Sequence, residues 1–291
     1  MSTLLDLVGN TPLVELNKLH TNKNVRIYGK LEGNNPGGSV KDRAAKNMIE
    51  SALKRGDIQP GMKLIEATSG NTGIALAMIA CLYNLEIELA MPANSTRERV
   101  LTMEAFGAKV TLTKSIEEAR DYAVDKAATG EYILLNQFEN PDNYLAHYKS
   151  TGPEIYRDTQ GEITHFVSSM GTTGTIMGTS MYLKEQNPHI QIVGCQPTEG
   201  SSIPGIRRWP EAYRPKIYQP ERVDRIMDIS EEEAVSMTRK LAKIEGVFGG
   251  MSSVGAVAAS IRLAEELQEG VIVCIICDRG DRYLSSNLFG E

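Results

Sequence analysis

The stretch KLIEATSGNTGIALAMIACLY, residues 63–83, decides the fold. KLIEA is a short run of strand formers and TSGNTG is a turn built from glycine and hydroxyl residues. Thr72 to Tyr83 is a helical run apolar nearly all round, as a helix buried on most sides must be. The same strand, loop, helix unit recurs on either side of it. EIELAM (86–91), Ser95 to Phe106, KVTL (109–112), Ile116 to Ala128 and YILL (132–135) carry the alternation forward. A second series runs through HFVSS (165–169), a helix over 175–185, QIVGC (191–195), RIMDI, helices over 231–245 and 253–268, and VIVCII. Strands alternating with helices of ten or more residues predict an α/β protein with open parallel sheets covered on both faces, here in two lobes. The rhythm loosens between 136 and 162, and the proline-rich segment 196–222 reads as a long irregular loop of the kind that usually serves function.

Upstream lies EGNNPGGSVKDRAA (32–45), preceded by two strand-like pieces, GNTPLVEL and VRIYGKLE. Pro36, Gly37 and Gly38 make a turn, Ser39 is placed to cap, and Lys41 falls at the start of a helix reaching Leu53. The positive end of a helix dipole disfavours an ammonium, and a neutral lysine amine is a nucleophile able to form a Schiff base. Taken alone, the stretch reads more simply as a lysine in solvent beside Asp42 and Arg43.

Composition narrows the classes. With 31 basic and 37 acidic residues among 291, a net charge of -6 argues against a nucleic-acid footprint and fits a small-molecule enzyme. No apolar run approaches a membrane span, and MSTLLDLVGN lacks the basic and apolar regions of a signal peptide, so a cytoplasmic protein is expected. Cys274 and Cys277 form a CxxC, but inside a run that reads as a buried strand. Neither they nor the four histidines have metal-ligand spacing, and no metal site is expected.

Three loops share one geometry: each contains glycine and opens a helix. In TSGNTG (68–73), backbone amides and the hydroxyls of Thr68, Ser69 and Thr72 suit an anion such as a substrate carboxylate. In MGTTGT (170–175), Gly171 and Gly174 admit a ligand close to the backbone while Thr172, Thr173 and Thr175 add hydroxyls, giving a phosphate cradle without the lysine of a nucleotide loop. In GGMSSVGA (249–256), Ser252 enters a helix, where capping alone would explain it. An amine that condenses with an aldehyde, set with a nest for a phosphate at the carboxyl ends of parallel strands, describes pyridoxal 5'-phosphate.

At this point the chain resembles the cysteine synthases (O-acetylserine sulfhydrylases) of the fold type II pyridoxal-phosphate enzymes, related to the tryptophan synthase β chain. The resemblance rests on GNTPLV, NPGGSVKDR, ATSGNTG, VSSMGTTGT, EGSSIPGIRRWP and ICDRGDRYLS, and runs nearly end to end. It implies a larger cofactor-anchoring domain of residues 1–36 and 143–291, and a smaller mobile substrate-binding domain of residues 37–142. It also implies β-replacement through an α-aminoacrylate, with O-acetylserine and a sulfur donor as substrates, and a homodimer. Lys41 would be the Schiff-base lysine and catalytic base, and Asn71 would bind the ring hydroxyl oxygen. Gly171, Thr172, Thr173, Gly174 and Thr175 would hold the phosphate, with Ser252 at the ring nitrogen. Thr68, Ser69, Thr72 and Gln137 would take the amino acid's carboxylate.

The B-type branch of the family is the better match, because the Arg207–Arg208 pair and Cys277 stand where the A type has a longer loop and a small Ser-Gly pair. The two arginines would attract an anionic donor, thiosulfate as an alternative to sulfide, giving S-sulfocysteine in place of cysteine. One departure is Val254, where the family has glycine; a backbone needing positive φ there would be strained and would disturb Ser252. Alternatives are a serine or threonine dehydratase or a cystathionine β-synthase core, against which the RRW and CDRGDRY segments speak. A catalytically silent cofactor-binding protein is the non-enzyme alternative, against which Lys41, Asn71 and the TSGN loop speak.

Overall fold

In the computed structural model, which describes residues 2–59, 61–286, 288 and 289, the alternation becomes two sheets. The chain runs β1 (Leu13–Glu15), β2 (Val25–Leu31), α1 (Lys41–Arg55), β3 (Lys63–Ala67), α2 (Asn71–Leu82), β4 (Glu86–Pro92) and α3 (Arg97–Ala105). It continues through β5 (Lys109–Thr113), α4 (Ile116–Ala128), β6 (Tyr132–Leu134), α5 (Pro141–Lys149), α6 (Thr151–Asp158), β7 (His165–Ser169) and α7 (Gly174–Gln186). Then come β8 (Gln191–Pro197), β9 (Arg225–Ile229), α8 (Glu231–Lys240), α9 (Met251–Glu266) and β10 (Gly270–Ile276).

The smaller sheet, β5-β4-β3-β6, is wholly parallel, with Leu64 in register with Ile87 on one side and Ile133 on the other. The larger is ordered β1-β2-β10-β7-β8-β9 and is parallel except at one edge, where β1 runs antiparallel to β2. That edge follows from chain length, since the connection between β1 and β2 is too short for a parallel crossover. The apolar run read on α2 is buried as expected, from Thr72 to Ala80. Each fully covered side chain of Ile74, Leu76 and Ile79 contributes about 1.5–3 kcal/mol of burial.

Residues 136–162, where the sequence reads as irregular, fold into α5 and α6. Asn140 caps α5 through Asp142 N, with Pro141 at the first helical position. The polar residues that hide these helices are buried: Asn143 and His147 face inward on α5, and Gly178 of α7 lies so close to the Tyr144 carbonyl that a Cβ would stand 1.8 Å from it. The helix expected over 231–245 stays α-helical to Lys240, then widens into one π turn, Leu241–Glu245. Segment 198–224 is irregular apart from two short 3-10 turns, as anticipated.

The start of α1 is held by a buried ionic cluster. The Arg43 guanidinium donates to Glu32 at 2.7 and 2.8 Å and to Glu154 at 2.7 and 2.8 Å, while Lys30, fully buried, contacts Glu154 at 2.9 Å. These cations hold the Glu154 carboxyl at about 2, below its ordinary 4.5. A depressed carboxyl stabilises the fold above its unfolded pKa, and that stability is lost as pH falls from 4.5 through about 2. Glu154→Gln should therefore flatten the acid limb of stability measured by urea unfolding across that interval. Arg43→Ala, which strands buried Glu32 without a cation and leaves Glu154 only Lys30, should cost about 3–5 kcal/mol in the same assay; a loss below about 1 kcal/mol would show that the cluster does not hold the fold.

Candidate active site

A cavity of about 180 Å³ opens where the carboxyl ends of both sheets face one another. Of the residues singled out from sequence, Lys41, Ser69, Asn71, Thr72, Gln137, Gly171, Thr172, Thr175, Arg207, Ser252 and Cys277 line it. Thr68, Thr173, Gly174 and Arg208 do not.

Lys41 is the first residue of α1 and partly buried. Ser39 sits one residue further out than a regular cap, and its hydroxyl accepts the Lys41 amide at 3.2 Å. Burial draws the Lys41 pKa down, and the neighbouring Cys277 and Asp278 pull it partly back. Desolvation of the ammonium is thus the leading cause, where the sequence had pointed to the helix dipole. Cys277 itself is pushed up to about 12 by burial, so its thiol stays protonated at neutral pH.

The TSGN loop is braced from behind. Thr68 Oγ1 accepts the amides of Gly70 at 3.1 Å and Gly73 at 2.9 Å, bracing the loop from outside the cavity lining. Thr72 Oγ1 donates to Gln137 Oε1 at 2.8 Å, and Gln137 Nε2 donates to the Ala67 carbonyl at 2.6 Å. Under this loop Glu66 accepts amide hydrogens from Ala67 and Gln137, and burial raises its carboxyl to about 7. Asn71 is clasped on both sides of its amide: Nδ2 donates to Asp278 at 2.6 Å and Oδ1 accepts from Arg282 at 2.6 Å. Arg282 also donates to the Gly37 carbonyl, so the C-terminal segment ties the lysine turn to the TSGN loop.

The third wall is the loop before α7. Thr173 is in the left-handed region at φ 71°, and its buried hydroxyl has no partner. A Cβ on Gly171 would lie 2.7 Å from the Gly205 carbonyl, and one on Gly174 would lie 2.1 Å from Asn143 Oδ1. Glycine is therefore required where the backbone folds over the helix start. The orphaned hydroxyl and the amides at the start of α7 fit a phosphate. Ser252, near the start of α9, is buried beside the Cys277 thiol. Val254 lies in the first turn of α9, outside the positive-φ residues, and the glycine that matters is Gly255, whose Cβ would meet Ile206 at 2.8 Å.

The arginine pair divides. Arg207 faces the cavity, whereas Arg208 points outward, paired with Asp228 at 2.8 Å and donating to the Pro197 carbonyl at 3.0 Å. Consecutive residues in extended chain face opposite sides, so only one of the two can reach a ligand here. Sequence reading missed Arg99, Trp209 and Tyr283, all of which line the cavity. RERV at a helix start carries the pattern of a solvated face, and only the fold buries its second arginine.

Comparison with known proteins agrees with this arrangement. A family described as pyridoxal-phosphate dependent enzyme matches residues 4–278. Cysteine synthase B of Pseudomonas aeruginosa is 59% identical over 290 residues, covering 99% of this chain and 97% of that protein. Its Escherichia coli K12 counterpart is 56% identical over 294 residues, covering 100% and 97%. The solved structure of cysteine synthase from Entamoeba histolytica is 39% identical, covers 100% of this chain and 91% of that one, and superposes with a TM-score of 0.93.

Gly171→Ala should weaken pyridoxal 5'-phosphate binding by about tenfold or more, followed by visible absorbance on titration, because the added methyl meets backbone; unchanged affinity would remove this loop from the cradle. The raised Glu66 carboxyl stabilises the fold fully below its unfolded value, and that stability is lost as pH rises through about 7. Glu66→Gln should abolish the decline in thermal stability between pH 4.5 and about 7.

Proposed function

This chain belongs to the pyridoxal-phosphate-dependent enzymes and, within them, to the cysteine synthases of the O-acetylserine type, and from that premise we propose how its cavity divides the work. The enzyme binds pyridoxal 5'-phosphate and replaces the acetoxy group of O-acetyl-L-serine with sulfide, giving L-cysteine and acetate. The supporting observation is that a lysine amine of lowered pKa, an anion loop and a phosphate cradle line one cavity.

When bound, the cofactor supplies the electron sink that lets the Cα proton and the β-substituent leave. In our reading Lys41 Nζ would anchor the cofactor and would take the Cα proton of the substrate, a task favoured by an amine whose pKa burial lowers. The amides and hydroxyls of 171–175 hold the phosphate. Ser252 meets the ring nitrogen with a hydroxyl, which cannot hold it protonated as a carboxylate would, and so favours elimination over transamination. Asn71 Nδ2 has a second hydrogen for the ring oxygen while Asp278 holds the first. Ser69, Thr72 and Gln137 receive the substrate carboxylate, with Thr68 positioning their loop. Residues 37–142 would close over it as the mobile domain.

The finer donor preference is part of the same proposal. Arg207, inside the cavity, suits thiosulfate: once acetate has left, the donor's terminal sulfur would form the bond to the β-carbon as Cα regains its proton, giving S-sulfocysteine with no change of oxidation state. A homodimer is proposed as well, in keeping with the exposed Leu7 and Phe248, and sedimentation would test it. A cytoplasmic setting is supported by four unpaired cysteines, and no described helix is long and apolar enough to cross a membrane.

Lys41→Ala should reduce cysteine formation at least about a hundredfold; turnover within a few-fold of wild type would remove Lys41 from the mechanism. Arg207→Ala should raise KM for thiosulfate about tenfold or more while KM for sulfide changes little. Turnover of serine plus homocysteine in place of O-acetylserine would favour the cystathionine synthase alternative.

A further inference from the structure

Arg99 stands in the first turn of α3 but turns inward and is only 7% exposed. An arginine so buried usually meets a carboxylate, because a fixed cation stripped of water is costly. Arg43 in this chain follows that rule. Arg99 has no ion-pair partner within 4 Å among the described residues. Its Nη1 reaches only the Ser69 carbonyl at 3.3 Å, its guanidinium carbon lies 4.9 Å from the centre of the Tyr283 ring, and its buried Nε has no hydrogen bond. The adjacent Glu98 accepts the Ser285 hydroxyl at 2.8 Å instead.

Arg99 lines the same cavity as Lys41, and Arg207 lines it from the irregular 198–224 segment. The two cations feel one another: burial leads the fall in the Arg207 pKa, Glu117 opposes it, and Arg99 adds to it. Two like charges converging on one cavity without a shared acid form a receptor for a dianion.

We propose that Arg99 and Arg207 together form a two-guanidinium site for the sulfonate of thiosulfate, with Arg99 discriminating this dianionic donor from singly charged hydrosulfide. The inference rests on the thiosulfate reading given above. Held by its oxygens, the donor leaves its terminal sulfur free for the β-carbon, and the sulfonate sulfur changes no bond. Arg99 enters from α3 and Arg207 from the other sheet's loop, so the site is assembled across the cleft.

Trp209, the single tryptophan, also lines the cavity and reports occupancy without turnover. The holoenzyme is titrated with sodium thiosulfate, and separately with sulfate, at constant ionic strength, following Trp209 emission. The ratio of kcat/KM for thiosulfate to that for sulfide is measured alongside. Arg99→Ala should weaken thiosulfate binding about tenfold or more and lower the ratio by a similar factor, and Arg99→Lys should recover only part of either. Equal losses with both donors would reveal a merely structural residue and overturn the proposal. Binding weakened by Arg207→Ala but not by Arg99→Ala overturns the Arg99 role alone, while the converse supports it and overturns the Arg207 assignment. Wild type that binds neither anion overturns both readings.

Discussion

The Arg43 guanidinium, buried between Glu32 and Glu154, is the interaction on which the site depends. Glu32 follows β2 and Glu154 lies on α6, so one side chain ties the six-stranded sheet and a later helix to the first turn of α1. Ser150 Oγ takes the remaining donor of the same group, and Thr11 Oγ1 shares an Nη2 hydrogen at 3.1 Å. A guanidinium this well satisfied has one low-energy position, because any shift would leave a buried carboxylate unpaired. Lys41 precedes it by two residues, and its place at the cavity is therefore fixed by a cluster outside the cavity lining.

Around that lysine, the starts of four helices converge: Lys41 opens α1, Asn71 opens α2, Gly174 opens α7, and Ser252 is second in α9. Each brings the positive partial charge of a helix start to one space. Arg99 and Arg207 add two formal charges. Such a cavity favours phosphate, carboxylate and anionic donors over neutral ligands, and it makes an ammonium on Lys41 poorly placed. Buried Asp278 balances part of this field while clasping Asn71 and the Tyr283 hydroxyl, at 2.6 and 2.7 Å.

Some residue roles changed between sequence and fold, and the reasons are local. Thr68 carries the right hydroxyl in the right loop, yet strand geometry turns it behind the loop to hold Gly70 and Gly73. Arg208 has the same chemistry as Arg207, but alternation of the extended chain sends it to Asp228. The polar run 136–162 hides two helices because their buried faces mix Asp142, Asn143, His147, Thr151 and Glu154 with only Ala146 and Ile155, too few apolar residues to show a period.

Sequence by itself determined the alternating α/β architecture and the glycine loops at helix starts, because each is written in a local pattern of a few adjacent residues, and it gave the cofactor class through the combination of loops far apart in the chain. Glycines with special backbone needs and helix-start signals act over a turn or two, so they are legible without a fold. The tertiary structure alone decided which hydroxyls and guanidiniums reach the cavity, that burial leads the fall in the Lys41 pKa, and that Arg99 stands buried without an acid. These depend on side-chain direction and on exclusion of water by segments distant in sequence, and no local pattern encodes either.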